Sequence, residues 1–288
     1  MALELSVLFA FGAMLSWGIG DFLIQKTTRK IGDIETLAFI GIIGSIVLLP
    51  FVFGQIHLIF SPENALLFFL LGALAFFVAV FNFEALKQGK LSVIDVILEI
   101  ELPVTVILAF LFFRETFSFP QLFLMLLVFL GIVLISAESL SIKKHRLIEK
   151  GVFLALITAI GMGFVNFLTA SASRHASPLL AIWVPWLIVS IISVFFIWRR
   201  EGLQKFFKNG LRFKKLVVAV GLIDTLAWLF FAFAVSQAHL SITTAITESY
   251  PAIAMFLGIW LNKEKILPHQ FAGAGIALIG SVALGFIV

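Results

Sequence analysis

The sequence predicts an all-α polytopic membrane protein with ten transmembrane helices arranged as two inverted five-helix repeats. Three observations lead there. The 288 residues are 61% hydrophobic and only 12% charged, against roughly 45–50% and about 25% in soluble domains, and the mean hydropathy is +1.15. Apolar stretches long enough to cross about 30 Å of hydrocarbon recur along the chain. A set of residues in the first half returns in the second at a constant offset of 149. Such a composition excludes soluble enzymes, nucleic-acid-binding modules and disordered tails, because too little polar surface exists to cover a water-soluble fold. With zero cysteines, disulfides, thiolate metal sites and cysteine nucleophiles are also excluded.

The predicted spans cover about 4–25, 34–55, 65–86, 91–113, 118–138, 151–173, 178–198, 216–237, 240–262 and 268–288. None alternates with the two-residue period of a barrel strand. The first lacks a basic leader and an Ala-x-Ala cleavage site, so it reads as a retained helix. Small residues at helical spacing, Gly12-Ser16-Gly20 and Gly273-Ala277, predict close helix crossings. The longest connection is the basic stretch 199–215. Pro103, Pro185 and Pro251 are expected to interrupt the fourth, seventh and ninth spans, with Pro103 and Pro251 as candidate gating kinks. The cluster Trp183-Pro185-Trp186 reads as pocket-lining or as interfacial aromatics, with the second favoured.

Orientation follows from Lys and Arg in the short loops. The side that holds both termini carries only Arg114 and Arg174. The opposite side collects Lys26, Arg29, Lys30, Lys87, Lys90, Lys143, Lys144, Arg146, Lys150, seven residues of 199–215, Lys263 and Lys265; the partition of all 20 is 18 to 2. The expectation is a multi-pass protein of the cytoplasmic membrane with basic loops in the cytoplasm and both termini outside. The net charge of +4 therefore reflects topology, with no nucleic-acid partner.

At the offset of 149, Gly72 falls on Gly221, Gln88 on Gln237, Leu91-Ser92 on Leu240-Ser241 and Glu99 on Glu248. Glu115 then falls on Glu264, Gln121 on Gln270 and Gly131 on Gly280. A second offset of 145 pairs Gly18 with Gly163, Asp21 with Asn166 and Arg29 with Arg174. Repeats of five spans must lie oppositely in the membrane, the arrangement of secondary transporters whose site sits between the halves. The expected units are 1–140 and 151–288, joined by a basic linker at 141–150.

Several of these features resemble the EamA type of the drug/metabolite transporter superfamily. They are Trp17-Gly18 in the first span and the short turns Gly89-Lys90-Leu91-Ser92 and Ala238-His239-Leu240-Ser241. Pro103 with Glu115 and Pro251 with Glu264 complete the set. The family's adjacent Glu-Pro is absent: Glu101 and Pro103 are separated, and Pro251 follows Tyr250. Members are commonly drawn with cytoplasmic termini, whereas the charge count here places them outside. The resemblance implies transport of small metabolites, amino acids among them, with no cofactor.

Asp21, Glu84, Asp95, Glu99, Glu101, Asp224 and Glu248 fall within spans. Intramembrane acids are costly unless they face a cavity or a partner, so they mark a pathway. Asp95 and Glu99 share a helix face, and Glu99 stands roughly 12 Å into its helix at about 1.5 Å per residue. Glu248 is its mate, with Thr244 in the place of Asp95. Carboxyls withdrawn from water take up protons more readily, which suits proton coupling. Trp17 with Asp21 and Trp228 with Asp224, each pair four residues apart, are candidate aromatic-floored cation sites, and Asn166 occupies the place of Asp21 in the second repeat. The candidate substrate contacts are therefore Glu99, Glu248, Asp95, Asp21, Trp17, Asp224, Trp228, Asn166 and Thr244. Glu84 reads as an interfacial partner of Lys87, and Glu101 is open between a cavity role and capping of a buried hydroxyl.

The expected function is a secondary transporter moving a small polar metabolite, an amino acid or amine, by alternating access. A neutral sugar is the alternative solute. The last span of each half is expected to serve as packing or as a homodimer contact. Gly18-Ile19-Gly20-Asp21 also matches the Gly-x-Gly-Asp string of intramembrane aspartyl proteases, with Asp95 or Asp224 as the second acid. That match fixes three positions in a glycine-rich chain, and its usual Tyr-Asp partner is absent. A channel or passive scaffold is disfavoured by the repeat and its paired acids.

Overall fold

The computed structural model describes residues 2–88, 96–137, 150–200, 202–263 and 265–287. Ten helical stretches are long and apolar enough to span a membrane, from Leu5–Ile31 through Pro268–Phe286. The predicted Asp95, the turn Gly89-Lys90-Leu91-Ser92 and Glu264 lie outside the described residues.

The first repeat comprises α1 (Ala2–Ile31), α2 (Asp33–Val52), α3 (Pro62–Gln88), α4 (Glu101–Phe113) and α5 (Phe119–Ser136). A 3-10 segment, Phe53–Phe60, extends α2. In the second repeat, α6 (Lys150–His175) and α7 (Pro178–Arg200) are followed by a short surface helix, α8 (Leu203–Arg212). Then come α9 (Lys214–Gln237), the half-helices α10 (Leu240–Thr247) and α11 (Tyr250–Leu257), and α12 (Pro268–Phe286). The basic connection 199–215 is thus largely helical rather than a plain loop. Its apolar side chain Phe206 is buried and stacks on Phe39 at 4.1 Å between centroids.

Packing follows a pseudo-two-fold relation between the repeats. α1 lies along α9, and its mate α6 lies along α3; α2 meets α7, and α5 meets α12. α4 packs on α6 as α11 packs on α1. Each repeat therefore finds most of its long-range partners in the other. Local geometry repeats as well. Among the described residues Arg114 and Lys263 are the non-glycine ones with positive φ (54° and 59°), and they stand one repeat offset apart. Gln121 Oε1 accepts the Ser118 amide at 2.9 Å, and Gln270 Oε1 accepts the Leu267 amide at 3.0 Å, closing the first turns of α5 and α12. Each glutamine then donates across the pair, Gln270 to the Ile135 carbonyl at 2.8 Å and Gln121 to the Ile287 carbonyl at 3.4 Å.

The α5–α12 crossing requires glycine. A Cβ on Gly131 would stand 2.6 Å from the Ala277 amide nitrogen, and one on Gly273 would stand 2.6 Å from the Gly131 carbonyl. In lipid, where no hydrophobic force drives helices together, such close approach supplies the attraction. The two helices pack on each other, with Phe123, Leu126, Leu130, Ile279 and Val282 exposed on their outer faces.

One expectation is corrected: Pro185 lies inside an unbroken α7. The Trp183 indole donates to the Ser45 carbonyl at 2.8 Å, and Trp186 is buried against Trp228 with centroids 6.3 Å apart. Both tryptophans join α7 to its neighbours.

Because backbone walls offer no room to yield, Gly131→Val should cost about 1–3 kcal/mol of stability. Gly275→Ala, a position with open space around its Cβ direction, should leave thermal unfolding in detergent unchanged. Equal effects of the two substitutions would contradict the crossing described.

Candidate functional site

The ninth span is not one helix. α10 ends at Thr247, a turn occupies 248–249, and α11 starts at Tyr250. The fourth span breaks in the same way: helix at 96–98, a turn at 99–100, then α4 from Glu101. Glu99 and Glu248 sit at the two breaks, 149 residues apart. The prolines explain why. Having no N–H, Pro103 and Pro251 are best accommodated in the first turn of a helix, where no intrahelical donor is needed, and both fall in the first turn of the second half-helix. Tight i→i−3 bonds carry the chain across: Leu102 N–H to the Glu99 carbonyl at 3.3 Å, and Ser249 N–H to that of Ile246 at 3.2 Å. A break leaves backbone groups short of helical partners, which membrane helices tolerate only beside protein or a water-filled cavity. It also directs the N-terminal dipole of α4 and of α11 toward the adjacent carboxyl groups, a favourable arrangement for negative charge.

The carboxyls converge. Asp21, Glu99, Glu101 and Glu248 all act electrostatically on the Tyr250 phenol. Glu248 lies within the field of Glu101, Glu99 and Asp21, and Asp224 within that of Asp21. Ser136 donates to Glu99 at 2.6 Å, and Asn166 donates to Glu101 at 2.8 Å and to the Thr105 hydroxyl at 3.3 Å. Among the described residues no ion pair reaches Asp21, Asp224 or Glu248. Asp21 is exposed, Glu99, Glu101 and Tyr250 are half-buried, and Asp224 and Glu248 are buried at 5% and 9%.

One wall is aromatic. Trp17 meets Trp228 edge-on at 5.1 Å, Phe231 at 5.4 Å and Tyr250 at 6.2 Å. Trp186 extends it from behind Trp228. Beside Trp186 and Trp228 a small void of about 30 Å³ reaches Pro185, Thr169 and Val165. Close packing brings α11 into place, since a Cβ on Gly18 would stand 2.5 Å from Ile253 Cβ and 3.0 Å from the Tyr250 carbonyl. Gly18 and Gly20 in the Gly-x-Gly-Asp string therefore line helix contacts, Gly20 facing Ile223.

Of the candidate residues, the structure gathers Trp17, Asp21, Glu99, Asp224, Trp228 and Glu248 around this centre. Asn166 is 2% exposed and engaged with Glu101. Thr244 is fully buried with its hydroxyl unpartnered, so it packs behind the break rather than facing open space. Among the described residues no group of three or more His, Asp or Glu side chains is placed to hold a metal ion. Sequence reasoning passed over Tyr250, the chain's one tyrosine, although it stands two residues after Glu248 and directly before Pro251. Glu101 also belongs to the cluster, having been left open.

A second polar knot went unrecognised. Glu115, 5% exposed, accepts from the Leu240 amide at 2.6 Å, the Ser241 amide at 3.1 Å and the Ser241 hydroxyl at 2.9 Å. It caps the N-terminus of α10. Arg174 pairs with it at 3.2 Å, donates to the carbonyls of Val235 and Ala238, both at 2.8 Å, and lies 4.1 Å from the Phe113 ring centroid. One carboxylate and one guanidinium thus tie α4, α6, α9 and α10 together on the side that holds the termini. The repeat had paired Arg174 with Arg29 and Glu115 with Glu264 but held no sign that Arg174 and Glu115 meet.

Broken half-helices, crossed repeats and a polar centre define a polytopic membrane transporter. Comparison with known proteins agrees. The EamA-like transporter family matches residues 4–137 and again 149–286, and the chain belongs to that family. An uncharacterised protein of Methanocaldococcus jannaschii is 23% identical over 138 residues, which are 48% of this chain and 100% of that protein. A solved crystal structure of another protein superposes with a TM-score of 0.79 at 14% identity, covering 98% of this chain and 96% of that one; this likeness shows the fold.

Removing Glu115 uncaps α10 and strands Arg174. Glu115→Ala should destabilise the protein by about 3–5 kcal/mol, and Glu115→Gln by less, because an amide oxygen still accepts from the α10 amides. Thermal melts of the two variants check this; equal losses would show that capping contributes nothing.

Proposed function

We propose that this protein is a secondary transporter that carries a small cationic or zwitterionic metabolite, an amino acid or amine, across the cytoplasmic membrane by alternating access. The observation that supports this most is the pair of helix breaks at Glu99 and Glu248, one repeat apart, opening toward shared acids and an aromatic wall. Carboxylates attract an ammonium group, and tryptophan faces attract it further when water is excluded. The excess of acid over base at the centre favours a cation over a neutral sugar. Protonation of Glu99 and Glu248 would release a bound cation, so the same groups serve for exchange against protons. The two repeats would rock about the crossed pairs α1–α9 and α3–α6, whose symmetry gives each half an equivalent path.

A hydrogen bond to a charged group contributes about 1.5–3 kcal/mol. Glu99→Gln and Glu248→Gln should therefore each lower uptake of a labelled amine into proteoliposomes about ten- to a hundredfold and flatten its pH dependence, while Glu63→Gln at an outer turn should not. Unchanged flux in both central variants would overturn the proposal. If a neutral sugar, rather than any amine or amino acid, raised thermal stability of the purified protein, the solute class would change.

The 18-to-2 division of basic residues supports an orientation with the basic loops in the cytoplasm and both termini outside. A reporter active only in the cytoplasm should be silent after Val288 and active when inserted in the α7–α8 connection. The reverse pattern would invert the orientation.

A further inference from the structure

A pocket of about 560 Å³ opens on the basic side, away from the acidic centre. Its walls are the last turn of α1, the Gly32 link, the first turn of α2, the end of α7, and α8. The pocket thus straddles the two repeats at the level where spans end, where lipid headgroups lie. Its volume falls in the usual range of small-ligand sites, about 300–1,000 Å³.

Two chemistries meet there. Arg29, Lys30 and Arg200 are exposed cations on the lining. Lys30 Nζ lies 5.1 Å from the Phe213 ring centroid, and the Arg200 guanidinium lies 5.8 Å from that of Phe196. Glu35, 5% exposed, shares the lining. Its Oε2 accepts from Asn209 of α8 at 3.0 Å, but its buried Oε1 has no donor. A buried carboxylate oxygen left without a donor is costly, and Glu35 itself is among the residues lining the pocket that carries the cations. A ligand fitting both features has an anionic phosphate for the cations and a hydroxyl to donate to Glu35.

The surroundings are built for lipid. α8 lies on the end of α2 through the Phe206–Phe39 stack and leaves Phe207 and Leu211 exposed at 60% and 75%, the form of an interfacial helix. Trp198 and Phe195, at 56% and 54%, continue the apolar rim down α7. Basic pockets between membrane helices bind phospholipid headgroups in this way.

We propose that this pocket binds the headgroup of a phospholipid whose phosphodiester carries a hydroxylated substituent, as in phosphatidylglycerol. Arg29, Lys30 and Arg200 hold the phosphate, and Glu35 accepts from a headgroup hydroxyl. The lipid bridges the α1–α2 turn of one repeat and the α7–α8 corner of the other.

The test uses the full chain, delipidated in detergent and titrated with phosphatidylglycerol, phosphatidylcholine, phosphatidic acid, or soluble glycerophosphoglycerol, read by native mass spectrometry and thermal shift. Phosphatidylglycerol should bind one to one and raise thermal stability above the other lipids. Arg29→Ala and Arg200→Ala, both at exposed positions, should each weaken it about tenfold. Glu35→Ala, which removes the acceptor, should erase its advantage over phosphatidic acid; if that variant fails to fold, Asn209→Ala, which leaves the carboxylate in place, should retain the advantage. Equal binding of phosphatidylcholine, or undiminished binding in both arginine variants, would overturn the site. Displacement of the lipid by an equimolar amount of soluble glycerophosphoglycerol would overturn its assignment to a membrane lipid.

Discussion

In a bilayer core every backbone N–H and C=O needs a partner, and that constraint governs the rest of this structure. Eight of the ten spans meet it as continuous helix. The fourth and ninth do not, and their breaks fall at Glu99 and Glu248. Such a break persists only where neighbouring protein or water completes the hydrogen bonding. It therefore dictates where the other helices pack, what lines the interior, and where polar chemistry resides. Pro103 and Pro251 fit the first helical turns that follow the breaks, and the α4 and α11 dipoles favour the carboxyls beside them.

The crossed architecture follows from the same constraint. A break would expose polar backbone to lipid if each repeat stood alone. Pairing α1 with α9 and α3 with α6 sets each broken span against helices of the other repeat. Glycines set how closely the halves approach: Gly131 and Gly273 at the α5–α12 seam, and Gly18 where α1 meets α11. The Arg174–Glu115 knot adds a polar tie on the terminal side, satisfying the first amides of α10, which a membrane-embedded half-helix would otherwise leave orphaned. On the opposite side, α8 and the basic pocket above the α1–α2 turn are the complementary surface. The centre is acidic and the periphery basic, so a cationic solute and an anionic lipid would be drawn to different places on one molecule.

Much of this was legible from residue order. Hydropathy located ten spans, and the offset of 149 found Glu248 from Glu99. It also found Gln270 from Gln121, whose shared task of closing a helix start and bonding across to the partner helix emerged only in three dimensions. Tyr250 and Glu101 were harder to read. A lone aromatic and an acid out of phase with Glu99 gain meaning when a turn at 99–100 rotates the chain and brings both toward the same space. Pro185 reads differently, since α7 continues as helix through it, packed among its neighbours.

What the sequence determined by itself was period and partition: apolar length, small-residue spacing, the doubling of a five-span unit and the sorting of charge between loops. These are local or additive properties, set by each residue's own transfer energy. Tertiary structure decided convergence. Whether Trp17 reaches Trp228, whether Arg174 finds Glu115, and whether Glu35 is left with an unpartnered oxygen beside a basic pocket depend on how helices distant in sequence cross. Those crossings are set by the shape of whole packed surfaces, which no single stretch of chain contains.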